Sequence, residues 1–277
     1  MKRSYIARLA LIAVTASALL FSGCSGGKTS DTVQENAASG DLLSRIQEKG
    51  EIVIAMEGTW APWTYHDEED ELVGYDVEVG RLIAEKLGVE PVFVEGAWDG
   101  LLAGIDAGRY DIMINGVDVT PERQEAYDFS IPYAYNRMAV IVRGDNEDIK
   151  TMEDLAGKHT ANTISSTYAE KAESYGAEVT GVDDLNQTFE LLLRDRIDAT
   201  LNAEVTYYDY MKAHPDADLR IACLDPEVTE VAIPMRKGEE TESLRAAIDQ
   251  AIAELSEAGE LTELSEKYFG TDISKAE

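Results

Sequence analysis

The chain has 277 residues, with 24 Lys and Arg against 54 Asp and Glu, and a formal net charge of −30 at pH 7. A surface this acidic repels polyanions, which excludes nucleic acid as a partner and disfavours adsorption to anionic headgroups. Two cysteines and three histidines are too few for a structural zinc site, and no cofactor is expected.

Lys2, Arg3 and Arg8 precede an apolar, small-residue stretch from Leu9 to Phe21, the layout of a secretory signal over residues 1–23. The stretch is short for a spanning helix, and no second apolar run of that length follows, so an exported, otherwise soluble protein is expected. Phe21-Ser22-Gly23-Cys24 resembles the bacterial lipobox, whose cysteine is acylated, although Phe21 replaces the usual aliphatic residue. Cys24 is therefore the expected lipid anchor, which leaves Cys223 without a disulfide partner. Residues 24–40 are rich in Gly, Ser, Thr, Asn and Ala, bury too little surface to offset ordering entropy, and are expected to form a flexible tether.

From Asp41 the chain alternates helical and β patterns. Leu42, Leu43 and Ile46 mark a helix stopped by Gly50, before a strand over Ile52–Ala55. Thr64-Tyr65 and Leu72-Val73 flank the charged run His66–Glu71, which lacks calcium-loop spacing and is expected to be a solvated hairpin tip. Helices through Val79–Leu87 and Leu101–Ile105 alternate with strands Val92–Val94 and Ile112–Ile114. That β-α-β-α-β order implies a parallel sheet with helices on both faces. A β-rich run over Ala134–Val142 ends at Gly144-Asp145-Asn146, where the rhythm restarts with Thr151 capping Met152–Leu155. Helices Tyr168–Tyr175, Leu185–Arg194 and Val205–His214, with a strand at Ala199–Leu201, form a second α/β set. Val228–Met235 is β-rich and crosses back, and helices Glu242–Glu257 and Leu261–Tyr268 finish the chain. The expected architecture is thus α/β with two lobes and two crossover strands: residues 41–140 and 234–277 in the first lobe, 141–233 in the second. Such folds bind ligands where strand ends and helix N-termini face a cleft.

Four segments carry candidate chemistry. Glu57-Gly58-Thr59-Trp60-Ala61-Pro62-Trp63 follows the first strand, and its indoles suit an apolar part of a ligand or the core. Trp98-Asp99 opens a helix, placing an acid at the positive end of the dipole. Asn115-Gly116-Val117-Asp118-Val119-Thr120-Pro121-Glu122-Arg123 follows a third strand. In it Thr120 is a good N-cap and Pro121 a good first helical residue. Arg123 in a first turn opposes the dipole unless an anion lies near, which points to an anionic ligand group; pairing with Glu122 or Glu125 is the alternative. Thr163–Thr167 is a hydroxyl-rich cap ahead of a helix, able to offer N–H and O–H donors.

The segments EGTWAPWTY, ELVGYDVEVGRLIAEKLGV, WDGLLAGIDAGRYDIMINGVDVTPERQEAYDFSIPY, DLAGK, RIDATLNAE and ELTELSEKYFG, in this order, resemble the bacterial extracellular solute-binding proteins of family 3. These are amino-acid receptors of ATP-driven importers, and the NGVDVTPER and ATLN contexts are most similar to the cystine-binding branch. The resemblance implies a type II periplasmic-binding fold, an amino-acid ligand, a membrane permease as partner, and a monomer. It implies that Trp60 and Trp98 sandwich the ligand side chain, and that Arg123 holds the α-carboxylate with help from Asn115, Gly116, Thr120, Ser165, Ser166 and Thr167. Glu57 matches a position that reads the distal end of the ligand. Two departures stand out: Ala203 replaces the acid that usually meets the α-ammonium, and Asp118 stands where Ser or Gly is usual. Asp118 is the expected substitute for the lost acid, with Glu204 as the alternative, because a buried ammonium without a carboxylate is costly. The resulting expectation is the substrate-binding lipoprotein of an ABC importer for a cystine-like or basic amino acid. Two rivals share the pattern: a dehydratase-type enzyme on this fold, which turnover of the ligand would reveal, and a ligand sensor, whose loss would abolish signalling rather than uptake.

Overall fold

Asp41 accepts a hydrogen bond from Ser44 N at 3.1 Å and so caps α1 (Leu42–Lys49), which Gly50 ends at φ 76°. The computed structural model describes residues 41–276; the expected signal segment, the tether and Cys24 lie outside the described residues. After β1 (Glu51–Met56) comes a small antiparallel sheet of β2 (Thr59–Trp60), β3 (Thr64–His66) and β4 (Leu72–Val73), with the charged run at an exposed turn. Then follow α2 (Tyr75–Leu87), β5 (Glu90–Glu95), α3 (Trp98–Asp106) and β6 (Ile112–Met113).

Both β5 and β6 pair parallel with β1, in the order β5-β1-β6. The period of two along β1 sorts its side chains between two cores. Ile52, Ile54 and Met56 pack in the core that includes Val79 and Ile83 of α2, while Ala55 packs with Leu101 and Ile105 of α3. Each of the large side chains contributes about 1.5–3 kcal/mol on burial, which holds helices on both faces.

The chain continues through α4 (Pro121–Ala126) and β7 (Tyr127–Phe129) into β8 (Ala134–Arg143), the centre of a second sheet. A short 3-10 turn, Met152–Leu155, carries the capping box of Thr151 and Asp154. Next come β9 (His159–Asn162), α5 (Thr167–Ser174), β10 (Glu178–Gly181), α6 (Leu185–Leu193), β11 (Thr200–Ala203), α7 (Glu204–Ala213) and β12 (Leu219–Val231). β11 and β12 flank β8 antiparallel, β9 pairs parallel with β10, and a Thr160–Ala199 bridge ties β9 to the start of β11. The return passes Ala232 and Ile233 into β13 (Pro234–Arg236), antiparallel to β7, and on to α8 (Glu242–Ala258) and α9 (Glu260–Phe269). The outgoing and returning passages are bonded to each other, Ser130 N to Ile233 O at 3.1 Å and Tyr133 N to Val231 O at 3.0 Å.

Several strands differ from the sequence expectation: short β2 and β7 were not expected, and the expected run Val228–Met235 is divided between β12 and β13. β9 and β10 were not expected, since polar His159, Thr160 and Asn162 mask one and Gly181 shortens the other; mutual pairing makes them strands. β12 begins at Leu219 instead of Val228, because register shifts between Ile221 and Cys223 and between Leu224 and Val228 break the alternation around Pro226.

Candidate functional site

A cavity of about 60 Å³ lies where the loops after β1 and β6 meet the N-terminal ends of α5 and α6. One water needs roughly 10–15 Å³ by this kind of measure, so there is room for a few waters or a small solute group.

The loop after β1 brings Glu57, Thr59 and Trp60 to the cavity. Trp60 stacks on Trp63 at 5.3 Å between ring centroids, and its Nε1 donates to Asn202 Oδ1 on β11 at 3.3 Å. Its ring presses on the backbone of Gly116, whose φ of 54° suits a residue without a side chain: a Cβ there would lie 2.6 Å from Trp60 Cζ3. Gly116 N donates to buried Asp76 at 2.6 Å, and Tyr133 Oη donates to the other Asp76 oxygen at 2.8 Å. Burial pushes the Asp76 carboxyl up to about 7, against the pull of these two donors. Asp76 thereby fixes the loop after β6.

Glu57 is half-buried and held by Asn115 from two sides: Asn115 Nδ2 donates to Glu57 Oε2, and Asn115 Oδ1 accepts from Glu57 N, both at 2.7 Å. Burial raises the Glu57 carboxyl to about 7; the Asn115 hydrogen bond opposes this, and the negative charges of Asp184 and Asp99 add to it.

Thr120 Oγ1 accepts from Arg123 N at 3.1 Å and caps α4. The Arg123 side chain is 9% exposed and lies 5.2 Å over the Trp98 ring. Its Nη1 donates to Asp118 O at 3.1 Å and its Nη2 to Ser165 O at 3.3 Å. Neither Glu122 nor Glu125 forms an ion pair with it among the described residues. Asp118, 3% exposed, accepts from Thr167 Oγ1 at 2.5 Å, Thr229 Oγ1 at 2.7 Å and Asn136 Nδ2 at 3.5 Å. A carboxylate has about four acceptor positions, so room remains for one further donor. Ser166 caps α5 by accepting from Ala169 N at 3.2 Å, and Ser165, at φ 62°, donates through Oγ to Asp99 at 2.6 Å. Bonds from Trp60, Arg123, Thr167 and Ser165 thus fasten the loops of the first sheet to elements of the second in a closed arrangement.

Of the residues singled out in the sequence, Glu57, Trp60, Trp98, Gly116, Asp118, Arg123, Ser166 and Thr167 border the cavity. Asn115, Thr120 and Ser165 stand behind the wall, bonded to Glu57, Arg123 N and Asp99 respectively. Glu204 is elsewhere: at the start of α7 it accepts from Tyr208 Oη at 3.2 Å and borders a separate groove with residues 269–273. Helical geometry turns its side chain away from the cavity side of β11. Sequence reasoning missed Asn162, Asn202, Tyr168, Leu185 and Thr188, which also border the cavity. Asn202 lay within the ATLN segment, whereas Asn162 and Thr188 carried no local signal.

Comparison with known proteins identifies the family. The model of the bacterial extracellular solute-binding proteins, family 3, matches residues 52–271. The chain is 34% identical over 276 residues to the L-cystine-binding protein TcyA of Bacillus subtilis, covering 99% of this chain and 100% of that one. The L-cystine solute receptor of Neisseria gonorrhoeae, in its unliganded open conformation, shares 41% identity over 86% of this chain and all of that one, with a TM-score of 0.60. AbpA of Streptococcus pneumoniae, an amino acid ABC transporter substrate-binding protein bound to L-arginine, shares 29% over 84% of this chain and 100% of that one, yet superposes with a TM-score of 0.75. With a family model spanning most of its length and a relative alike from end to end, the chain belongs to the bacterial extracellular solute-binding proteins, family 3.

Proposed function

We propose that this protein is the substrate-binding lipoprotein of an ABC importer and takes a polar amino acid, with cystine-like and basic amino acids favoured. The carrying observation is the buried Arg123 beside the N-terminal end of α5, bordering with Asp118 and Glu57 one small cavity. Arg123 meets the ligand α-carboxylate through charge-assisted hydrogen bonds, helped by Thr120, Ser165, Ser166 and Thr167. Asp118 supplies the negative charge for the α-ammonium in place of Ala203, using its remaining acceptor position. Trp60 and Trp98 cover the side chain, and Glu57, held by Asn115, receives a distal polar or cationic group. The names of TcyA, of the Neisseria receptor and of AbpA support a cystine or basic ligand.

The lobes close by a hinge at Ser130–Tyr133 and Ala232–Ile233. We place all of β8 in the second lobe, since it pairs with β12 from Ala134 onward, ahead of the boundary expected at 140/141. The closed, loaded monomer docks on its permease, held to the outer face of the membrane by a lipid on Cys24. The test is calorimetry of refolded, ligand-stripped protein with L-cystine, L-arginine and the other common amino acids. Arg123→Ala should weaken the best ligand by about 3 to 5 kcal/mol, since a buried carboxylate loses its partner. Asp118→Asn should weaken it by more than about 1 kcal/mol. An Arg123→Ala loss below tenfold would refute the assignment.

A further inference from the structure

Asn162 ends β9 and borders the cavity while only 3% exposed. Its Nδ2 donates to Leu201 O on β11 at 2.7 Å. That bond settles the orientation of the amide, because a flipped group would press its oxygen against a carbonyl. Oδ1 is then the free end, and it is among the few buried side-chain polar atoms without a hydrogen-bond partner. A buried amide oxygen left unpaired costs free energy comparable to a lost hydrogen bond, so its persistence on a residue that borders the cavity points to a ligand donor.

Two neighbouring acceptors on that wall are largely engaged. Asn202 Oδ1 accepts from Trp60 Nε1 and from Ala203 N, and Asp118 accepts from three side chains. Ala203, at the end of the strand to which Asn162 is tied, offers only a methyl group. An ammonium has three donors to satisfy, and one remaining position on Asp118 serves only one of them.

We infer that Asn162 Oδ1 accepts an N–H of the bound solute's α-ammonium, making Asn162 a specificity residue that selects amine-bearing solutes over their des-amino counterparts. The inference rests on the amino-acid reading above. In it, charge comes from Asp118 and direction from Asn162, whose amide is clamped by Leu201 O before any ligand arrives.

The experiment is a thermodynamic cycle by calorimetry on the full mature domain. Wild type and Asn162→Leu are each titrated with two pairs: L-cystine against dithiodipropionate, and L-arginine against guanidinopentanoate. The second member of each pair lacks the α-amine. Leucine keeps the volume and removes the acceptor; Asn162→Ser replaces it if thermal unfolding shows that the leucine variant does not fold. The expected result is a loss of about ten- to a hundred-fold for the amino acid that binds wild type, with a change below threefold for its des-amino analogue. A purely structural role for Asn162 would weaken both members equally, and that outcome overturns the inference alone. If wild type binds neither these two nor any other common amino acid, the reading beneath it falls and the inference falls with it.

Discussion

Glu57 shows how one side chain ties binding to pH. Its carboxyl lies near 7 in the ligand-free protein, against an ordinary 4.5, chiefly because it is buried. The folded state therefore holds this proton more tightly than the unfolded chain, so the contribution of Glu57 to stability is complete below about pH 4.5 and is lost as pH rises through 7. Glu57→Gln should flatten that part of the melting-temperature profile between pH 4.5 and 7; parallel profiles for the two proteins would contradict the shift. A cationic group seated against Glu57 favours the ionised form, so binding of L-arginine below pH 7 should release protons, and affinity should rise from about pH 5 to 8. Calorimetry in buffers of different ionisation enthalpy measures that release, which Glu57→Gln should abolish. At this scale the sequence was informative where local chemistry was odd: an arginine in a first turn, indoles on a loop after a strand. It was silent on Asn162, because an asparagine at a strand end has many uses and only its neighbour Leu201, distant in sequence, leaves its oxygen free.

The loop between β6 and α4 does most of the positioning among the elements. It carries Asn115, Gly116 and Asp118 within a few residues, and Asp76 at the start of α2 anchors it through Gly116 N. Gly116→Ala meets two penalties at once, a positive φ and a Cβ within 2.8 Å of two Trp60 ring atoms. It should destabilise the fold by about 1–3 kcal/mol in chemical unfolding. Displacement of Trp60 from Asn202 should also weaken amino-acid binding at least tenfold and alter tryptophan fluorescence. Unchanged affinity would mean that Trp60 does not need its present seat. Helices here were legible because caps and stops are local: Asp41, Thr120 and Ser166 all accept from the backbone of the helix each precedes. β9, β10 and the first half of β12 were not, since each owes its strand state to a partner rather than to its own alternation.

At the scale of the whole molecule, the proposed anchor at Cys24 and the cavity belong to different parts of the chain. No helix among the described residues is long and apolar enough to cross a membrane. The proposed lipid on Cys24 makes its own prediction: Cys24→Ala should move the protein from the membrane fraction to the soluble fraction without changing its ligand affinity. Unaltered partitioning would exclude the lipid. The sequence by itself determined the α/β alternation, a parallel sheet in its first half, the family and most residues at the cavity, because hydrophobic period, caps and motif spacing are encoded within short windows. Only the tertiary structure decided which acids share the cavity, setting Glu204 outside it and Asp118 within, and which polar atoms remain unpaired there. Those outcomes depend on the approach of two sheets whose residues lie far apart in the chain, where burial and hydrogen-bond partners are set by neighbours that no local pattern contains.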